Sequence, residues 1–284
     1  MATFQNQATL TYAGNVTTSN VVTGELQQAV SAAKYALTDT YTADEVLTYV
    51  VSLVNTGGSV VTDLTLTDDL GAYTQGTETR VPLDYVEGSL AYYLGGTRQA
   101  DPVITGTNPL TVTGLTIPAN GNAFLVYQAR VNEFASPATG GTITNTATVT
   151  GSTLPASVVA RETVTAASEP FLTVGKSLSP STVSEGDRLT YTFVIQNFGN
   201  APVVATDDAS ITDTFDPILT DLVVTFNGAT WSEGAEYTYD EATGLFTTVN
   251  GNILVPAATY TQNPVTGAWT VVPGVSTLVV VGTV

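Results

Sequence analysis

Short stretches of alternating apolar and polar residues recur along the chain, separated by clusters of Gly, Pro, Asn and Asp. The runs at 46–54, 60–66, 123–131, 142–150, 189–196, 222–226 and 276–281 are rich in Val, Leu, Thr and Tyr. A period of two puts alternate side chains on one face of a sheet, so each run predicts a strand. Helical patterning is nearly absent. Residues 25–34 have helical propensity but lead straight into a strand, and are read as its approach. Many short strands punctuated by turns predict an all-β chain of β-sandwiches.

The pattern also repeats at long range. Val30-Ser31-Ala32-Ala33-Lys34 precedes Leu47-Thr48-Tyr49, and Leu172-Thr173-Val174-Gly175-Lys176 precedes Leu189-Thr190-Tyr191. The spacing from Lys to Leu is 13 in both copies, and the two lysines lie 142 residues apart. Leu66-Thr67-Asp68 in the first copy answers Ile211-Thr212-Asp213 in the second. Such self-similarity predicts two tandem β-sandwiches: an N-terminal strand and connector at 1–24, a first domain at 25–167 and a second at 168–284.

The copies are expected to end differently. The first closes with Ile143-Thr144-Asn145-Thr146-Ala147-Thr148-Val149-Thr150, and the second reaches only the equivalent of its penultimate strand, near 278–281. The missing pattern resurfaces in Phe4-Gln5-Asn6-Gln7-Ala8-Thr9-Leu10-Thr11. The order is thus an orphan last strand, a complete domain, and a domain lacking its last strand. Phe4, Asn6, Ala8 and Leu10 would form the inward row of a donor strand, about 26 Å long. Given to another copy, such a strand builds a head-to-tail homopolymer by β-augmentation. The alternatives are a remnant of an upstream domain, or a strand that folds back on its own chain.

Composition narrows the chemistry. Basic residues number 7 against 25 acidic ones, a net charge of −18, which repels nucleic acids and anionic membranes. There is no cysteine and no histidine, which removes disulfides, thiolate nucleophiles, the usual zinc sites and His-based catalytic pairs. No apolar stretch is long enough for a membrane span, and the N-terminus has neither a basic nor an apolar signal region. Export therefore depends on a removed signal or another route, such as mother-cell assembly onto a spore. Five basic residues are arginines (Arg80, Arg98, Arg130, Arg161, Arg188); the two lysines are Lys34 and Lys176, at the repeated position. The carboxylate pairs Asp68-Asp69, Asp207-Asp208 and Asp240-Glu241 read as turns, with no calcium-loop spacing, and Trp231 and Trp269 as packing residues. No metal or cofactor is expected.

These motifs carry a resemblance. A Lys ahead of the Glu185-Gly186-Asp187-Arg188-Leu189-Thr190-Tyr191 strand, the Asn-x-Gly turns at Asn55 and Asn197, the Thr-Asp pairs and the closing Asn-Thr-Ala-Thr-Val are together similar to the conserved repeat domain of bacterial surface proteins. They also resemble the isopeptide-forming immunoglobulin-like domains of Gram-positive pilins and collagen adhesins. The first copy departs from the pattern, with Ala43-Asp44-Glu45 ahead of its strand, and the middle of each copy is divergent. The resemblance implies that a first-strand Lys attacks the carboxamide of a last-strand Asn while an acid shuttles protons and ammonia leaves. Lys34, Asn145 and Asp68 are the implied set in domain 1, with neighbouring Asp69 or a Glu elsewhere as the alternative acid. Domain 2 offers Lys176 and Asp213, and the matching Asn is Asn6. Burial suits both partners, since it favours the neutral amine and the protonated acid, and juxtaposition supplies the effective concentration.

A structural, non-enzymatic role is therefore expected: a subunit of an extracellular filament at a bacterial cell or spore surface. The alternative is an adhesin or stalk fragment with a host ligand the residues do not identify. No LPxTG-like sorting motif is present.

Overall fold

The computed structural model describes residues 2–26 and 29–284. They divide into two compact units, the first built mainly on 2–136 and 140–166, the second mainly on 167–263 and 268–284. Both are all-β; the helical content among the described residues is a single 3-10 turn at Ala205–Asp207.

Unit 1 opens with a ribbon. Strands β1 (Ala2–Asn6) and β2 (Thr9–Tyr12) run out, and β3 (Asn15–Thr18) and β4 (Val22–Leu26) run back. β1 pairs with β4 and β2 with β3, both antiparallel. Ala13 and Gly14 form the tip with φ of 46° and 84°, the positive values a two-residue hairpin turn requires. The run expected at 4–11 is thus broken at Gln7 and Ala8, and folds back on 22–26, which the periodicity had not marked as a strand. The ribbon forms no ladder with any other described strand.

The sandwich follows: β5 (Val30–Ala36), β6 (Thr40–Tyr41), β7 (Val46–Asn55), β8 (Val61–Asp68), β9 (Ala91–Leu94), β10 (Val103–Thr107), β11 (Leu110–Ile117), β12 (Gly121–Val131), β13 (Thr142–Thr150) and β14 (Val158–Ala166). One sheet orders β9-β12-β7-β5, with Thr97–Arg98 beside β9 and Leu83–Tyr85 beside β12. The other orders β10-β11-β8-β13-β14-β6. Alternation decides what goes inside: Leu47, Tyr49, Val51 and Leu53 from β7 meet Leu64 and Leu66 from β8, and Ile143, Ala147 and Val149 from β13. β14 packs alongside β5 and closes the space between the sheets.

Unit 2 contains β15 (Leu172–Ser179), β16 (Arg188–Asn197), β17 (Thr212–Thr214), β18 (Thr220–Phe226), β19 (Ala229–Trp231), β20 (Tyr237–Asp240), β21 (Leu245–Thr248) and β22 (Gly274–Thr283). Its larger sheet orders β15-β16-β22-β18-β19 and its smaller one β17-β21-β20. Leu189, Tyr191, Phe193 and Ile195 of β16 pack on Phe215, Phe246, Leu278 and Val280. A separate hairpin joins Thr259–Gln262 to Trp269–Val272.

The repeated Asn-x-Gly has a shared structural cause. Asn55 is buried, accepts the Gly57 N–H at 2.9 Å and donates to Ser59 and Pro118 carbonyls. Asn197 accepts the Gly199 N–H at 2.9 Å and donates to Ala201 and Pro256. Each side chain satisfies backbone groups that the chain buries as it leaves the strand.

Candidate functional site

Three strands converge on one polar cluster inside unit 1. Lys34 points inward from β5, Asp68 ends β8, and Asn145 sits on β13, which pairs with β8 through Ala147↔Asp68. Lys34 Nζ lies 2.5 Å from Asp68 Oδ2, and both side chains are fully buried. Asp68 Oδ2 also accepts the Tyr127 hydroxyl at 2.6 Å, while Oδ1 accepts the Leu70 N–H at 3.1 Å. Tyr127 in turn accepts Asn145 Nδ2 at 3.2 Å. The Lys34 ammonium is 5.0 Å from the centroid of the Tyr49 ring. Asn145 Oδ1 and the Tyr49 hydroxyl are both buried in this cluster.

The environment tunes the groups. Burial pulls Lys34 below the ordinary lysine value, against the opposing charges of Asp68, Asp69 and Glu162. Burial likewise lifts Tyr127 well above the ordinary phenol range, with the Asp68 charge adding to it. Tyr49 is raised for the same two reasons. Asp69, the rival acid, is engaged otherwise: its Oδ1 accepts the N–H groups of Gly71 and Thr146 and ties the turn to β13. The acid facing Lys34 is Asp68.

One reaction open to a lysine, an acid and a carboxamide held together is amide exchange. In it the Lys34 amine would add to Asn145 Cγ, the C–Nδ2 bond would break, and a new Nζ–Cγ amide would remain. Asp68 would take a proton from the amine and return one to the departing nitrogen, which would leave as ammonia. The product would staple β5 of one sheet to β13 of the other.

Unit 2 repeats half of this arrangement. Lys176 of β15 forms an ion pair with Asp213 of β17, and stands 4.5 Å from the Tyr191 ring centroid. Here the side chains are 40% and 19% exposed. Beside them lies a cleft of about 360 Å³, lined by Val174, Lys176, Phe193 and the segment Ser210 to Asp213. The cause is in the ladders. In unit 1, β8 pairs with β11 on one side and β13 on the other; β17 pairs with β21 alone, so its second edge is free among the described residues. β15 is bare as well. Leu172, Val174 and Leu178 are 39%, 62% and 48% exposed, whereas Val30, at the position of Leu172, is 5% exposed.

Asn6 ends β1, across from Val22 in the ribbon. Phe4, Asn6, Ala8 and Leu10 are all exposed. Their counterparts on β13, Ile143, Asn145, Ala147 and Val149, are each no more than 1% exposed. The same sequence pattern is core in one place and surface in the other.

Tyr127 was not anticipated from the sequence. The signal available was positional: the Leu-Thr-Tyr repeat supplies Tyr49, and Tyr127 faces it across the β7–β12 ladder. Glu162 was also missed; it lies directly across from Asn145 on β14. The other carboxylate pairs serve turns. Asp240 accepts Ala242 N–H and the Thr243 hydroxyl, which lowers its pKa, and Asp207 accepts Val204 N–H. Trp231 stacks on Phe226 at 4.9 Å.

No protein-family model and no curated protein sequence matches the chain. Solved structures similar to it include Gram-positive pilins and collagen-binding adhesin domains, and also a family 123 glycoside hydrolase and a macrocyclization enzyme. The full-length major pilin of Corynebacterium diphtheriae has a TM-score of 0.36 at 12% identity, over 86% of this chain and 59% of that one. The pilus backbone of Streptococcus pneumoniae has 0.34 at 11%, over 86% and 55%. The collagen-binding domain of a Staphylococcus aureus adhesin has 0.31 at 12%, over 47% and 95%. The chain thus spans little more than half the length of either pilin. Likenesses this distant carry no residue-level argument; the functional reading rests on the site. No helix among the described residues is long and apolar enough to cross a membrane.

Proposed function

We propose that this chain is the structural subunit of an extracellular bacterial surface filament, assembled head to tail. The N-terminal strand of one copy enters the second sandwich of the next, beside β17. One observation carries this reading: a strand with the sequence pattern of a core strand is fully exposed, and a sandwich with the matching free edge has a cleft there. Placed like β13, the donor strand sets Ala8 across from Asp213 and Leu10 across from Ile211. Phe4, Asn6, Ala8 and Leu10 then face inward, and Asn6 meets Lys176. Two covalent locks follow from the same chemistry, Lys34–Asn145 within the first sandwich and Lys176–Asn6 between copies, with Asp68 and Asp213 as proton shuttles. The role is structural, with self-directed bond formation and no turnover substrate.

Electron microscopy and a hot denaturing gel test the proposal together. Fibres that run as a ladder after boiling are expected from the intact chain. Removing residues 1–24 abolishes fibres, and fibres that survive the deletion overturn strand donation. Lys176→Ala keeps the fibres but converts the boiled ladder to monomer; a persisting ladder overturns the intersubunit bond.

A further inference from the structure

The bare surface of unit 2 is larger than one strand can cover. In unit 1 the lysine strand β5 is sheltered by β14, the second arm of the β13–β14 hairpin, and not by β13 alone. Its equivalent β15 is exposed along its whole length. A single strand at β17 would complete the ladder yet leave Leu172, Val174 and Leu178 in water.

We infer that the donated element is the entire β1–β4 ribbon of a second copy of this chain, its two arms replacing both β13 and β14; this rests on the strand-donation reading above. Three observations converge. First, the same unit precedes each lysine strand: a strand, a turn and a returning strand come before β5 and again before β15. Second, the returning arms share Val-Val and a Glu three positions on, Val21-Val22-Thr23-Gly24-Glu25 against Val158-Val159-Ala160-Arg161-Glu162. Third, the ribbon is exposed on both faces and joins no sheet, while Val158, Ala160 and Val164 of β14 are core.

The match also specifies a rearrangement. In the free ribbon Asn6 lies across from Val22. In the β13–β14 hairpin Asn145 lies across from Glu162, whose counterpart is Glu25. Docking therefore slips β4 by three residues against β1. An odd slip turns the strand over, moving Val21, Thr23 and Glu25 to the face of Asn6. That is the row that Val158, Ala160 and Glu162 occupy in unit 1. A ribbon with water on both faces has little to resist such a slip.

The chain has no cysteine, so single cysteines can be placed without background. Mix one copy bearing Thr9→Cys with a larger, tagged copy bearing Thr212→Cys, and add a short bis-maleimide. This pair reads the first arm at β17, as Thr148 pairs with Thr67 in unit 1. A second mixture, Glu25→Cys with tagged Val174→Cys, reads the returning arm at β15. All four positions are exposed, so the folded units tolerate the changes. Cross-linked product in both mixtures is expected. Product in the first alone overturns the hairpin inference and leaves single-strand donation standing. Any other pattern overturns both.

Discussion

Tyr127 Oη donates to Asp68 Oδ2 and accepts from Asn145 Nδ2, whereas Val280, its counterpart across from Tyr191 in the second unit, can do neither. The hydroxyl is the link between the acid and the carboxamide in unit 1. Tyr127→Phe leaves Asn145 Nδ2 without that acceptor and removes one donor from Asp68. The expected loss is about 1–3 kcal/mol of stability, together with slower ammonia loss on an intact-mass time course. Unchanged kinetics of mass loss would show that the hydroxyl only fills space.

Lys34→Ala is the harsher change. It strips the cation from a carboxylate that is fully buried. Breaking such a pair costs about 3–5 kcal/mol, whereas replacing both partners by uncharged groups of similar size restores most of it. Denaturant unfolding should therefore rank Lys34→Ala well below the double variant Lys34→Met with Asp68→Asn. Under the proposed Lys34–Asn145 bond the native chain loses one ammonia that both variants retain, which intact mass reports. An Asn145→Ala chain should likewise keep its full mass, and loss of ammonia from it would move the bond to another carboxamide.

Much of this was legible before any coordinates. Strand periodicity located the sandwiches, and the Lys-to-Leu spacing put Lys34 and Lys176 at equivalent strand positions, buried in the first unit and exposed in the second. The Thr-Asp repeat brought Asp68 and Asp213 to them. What stayed hidden depends on pairing across sheets. Tyr127 matters because β12 runs beside β7, a long-range ladder that local alternation does not encode. The N-terminal segment was read as one strand because Phe4 to Leu10 alternates well. Its fold-back arm, Val22–Leu26, holds Thr, Gly and Glu between its apolar ends and carries no strong strand signal.

Alkaline titration gives a test independent of assembly. Burial pushes Tyr41 up to about 12, and Tyr49 and Tyr127 are raised further by burial and by the charge of Asp68. For an acid whose folded pKa exceeds its unfolded value, the folded state holds its proton longer as pH rises. Stability from these groups is fully present below pH 10, the ordinary tyrosine value, and is lost as pH climbs through the folded values. Burial also raises Tyr92, Tyr191, Tyr237, Tyr239 and Tyr260, and Tyr41, Tyr49 and Tyr127 should ionise only as the sandwich opens. Phenolate absorbance against pH, with circular dichroism alongside, checks it. A single early transition with the fold intact contradicts the buried network.

The bare β15 row makes its own prediction. Leu172, Val174 and Leu178 present apolar surface in an isolated subunit, so a dye that lights up on hydrophobic patches should bind monomer and be released as fibres grow. Val174→Asp with Leu178→Asp places charges where neither side chain supports the fold of its own unit, so the monomer should melt within about 0.5 kcal/mol of the parent. Once a second copy covers that row, the same carboxylates are buried without partners. Two such desolvated charges oppose docking by several kcal/mol in total, enough to stop assembly at concentrations where the parent polymerises. Sedimentation should then show monomer alone, with normal circular dichroism. Fibres forming at the parental rate would mean that this face stays in water in the polymer, and that nothing docks upon it.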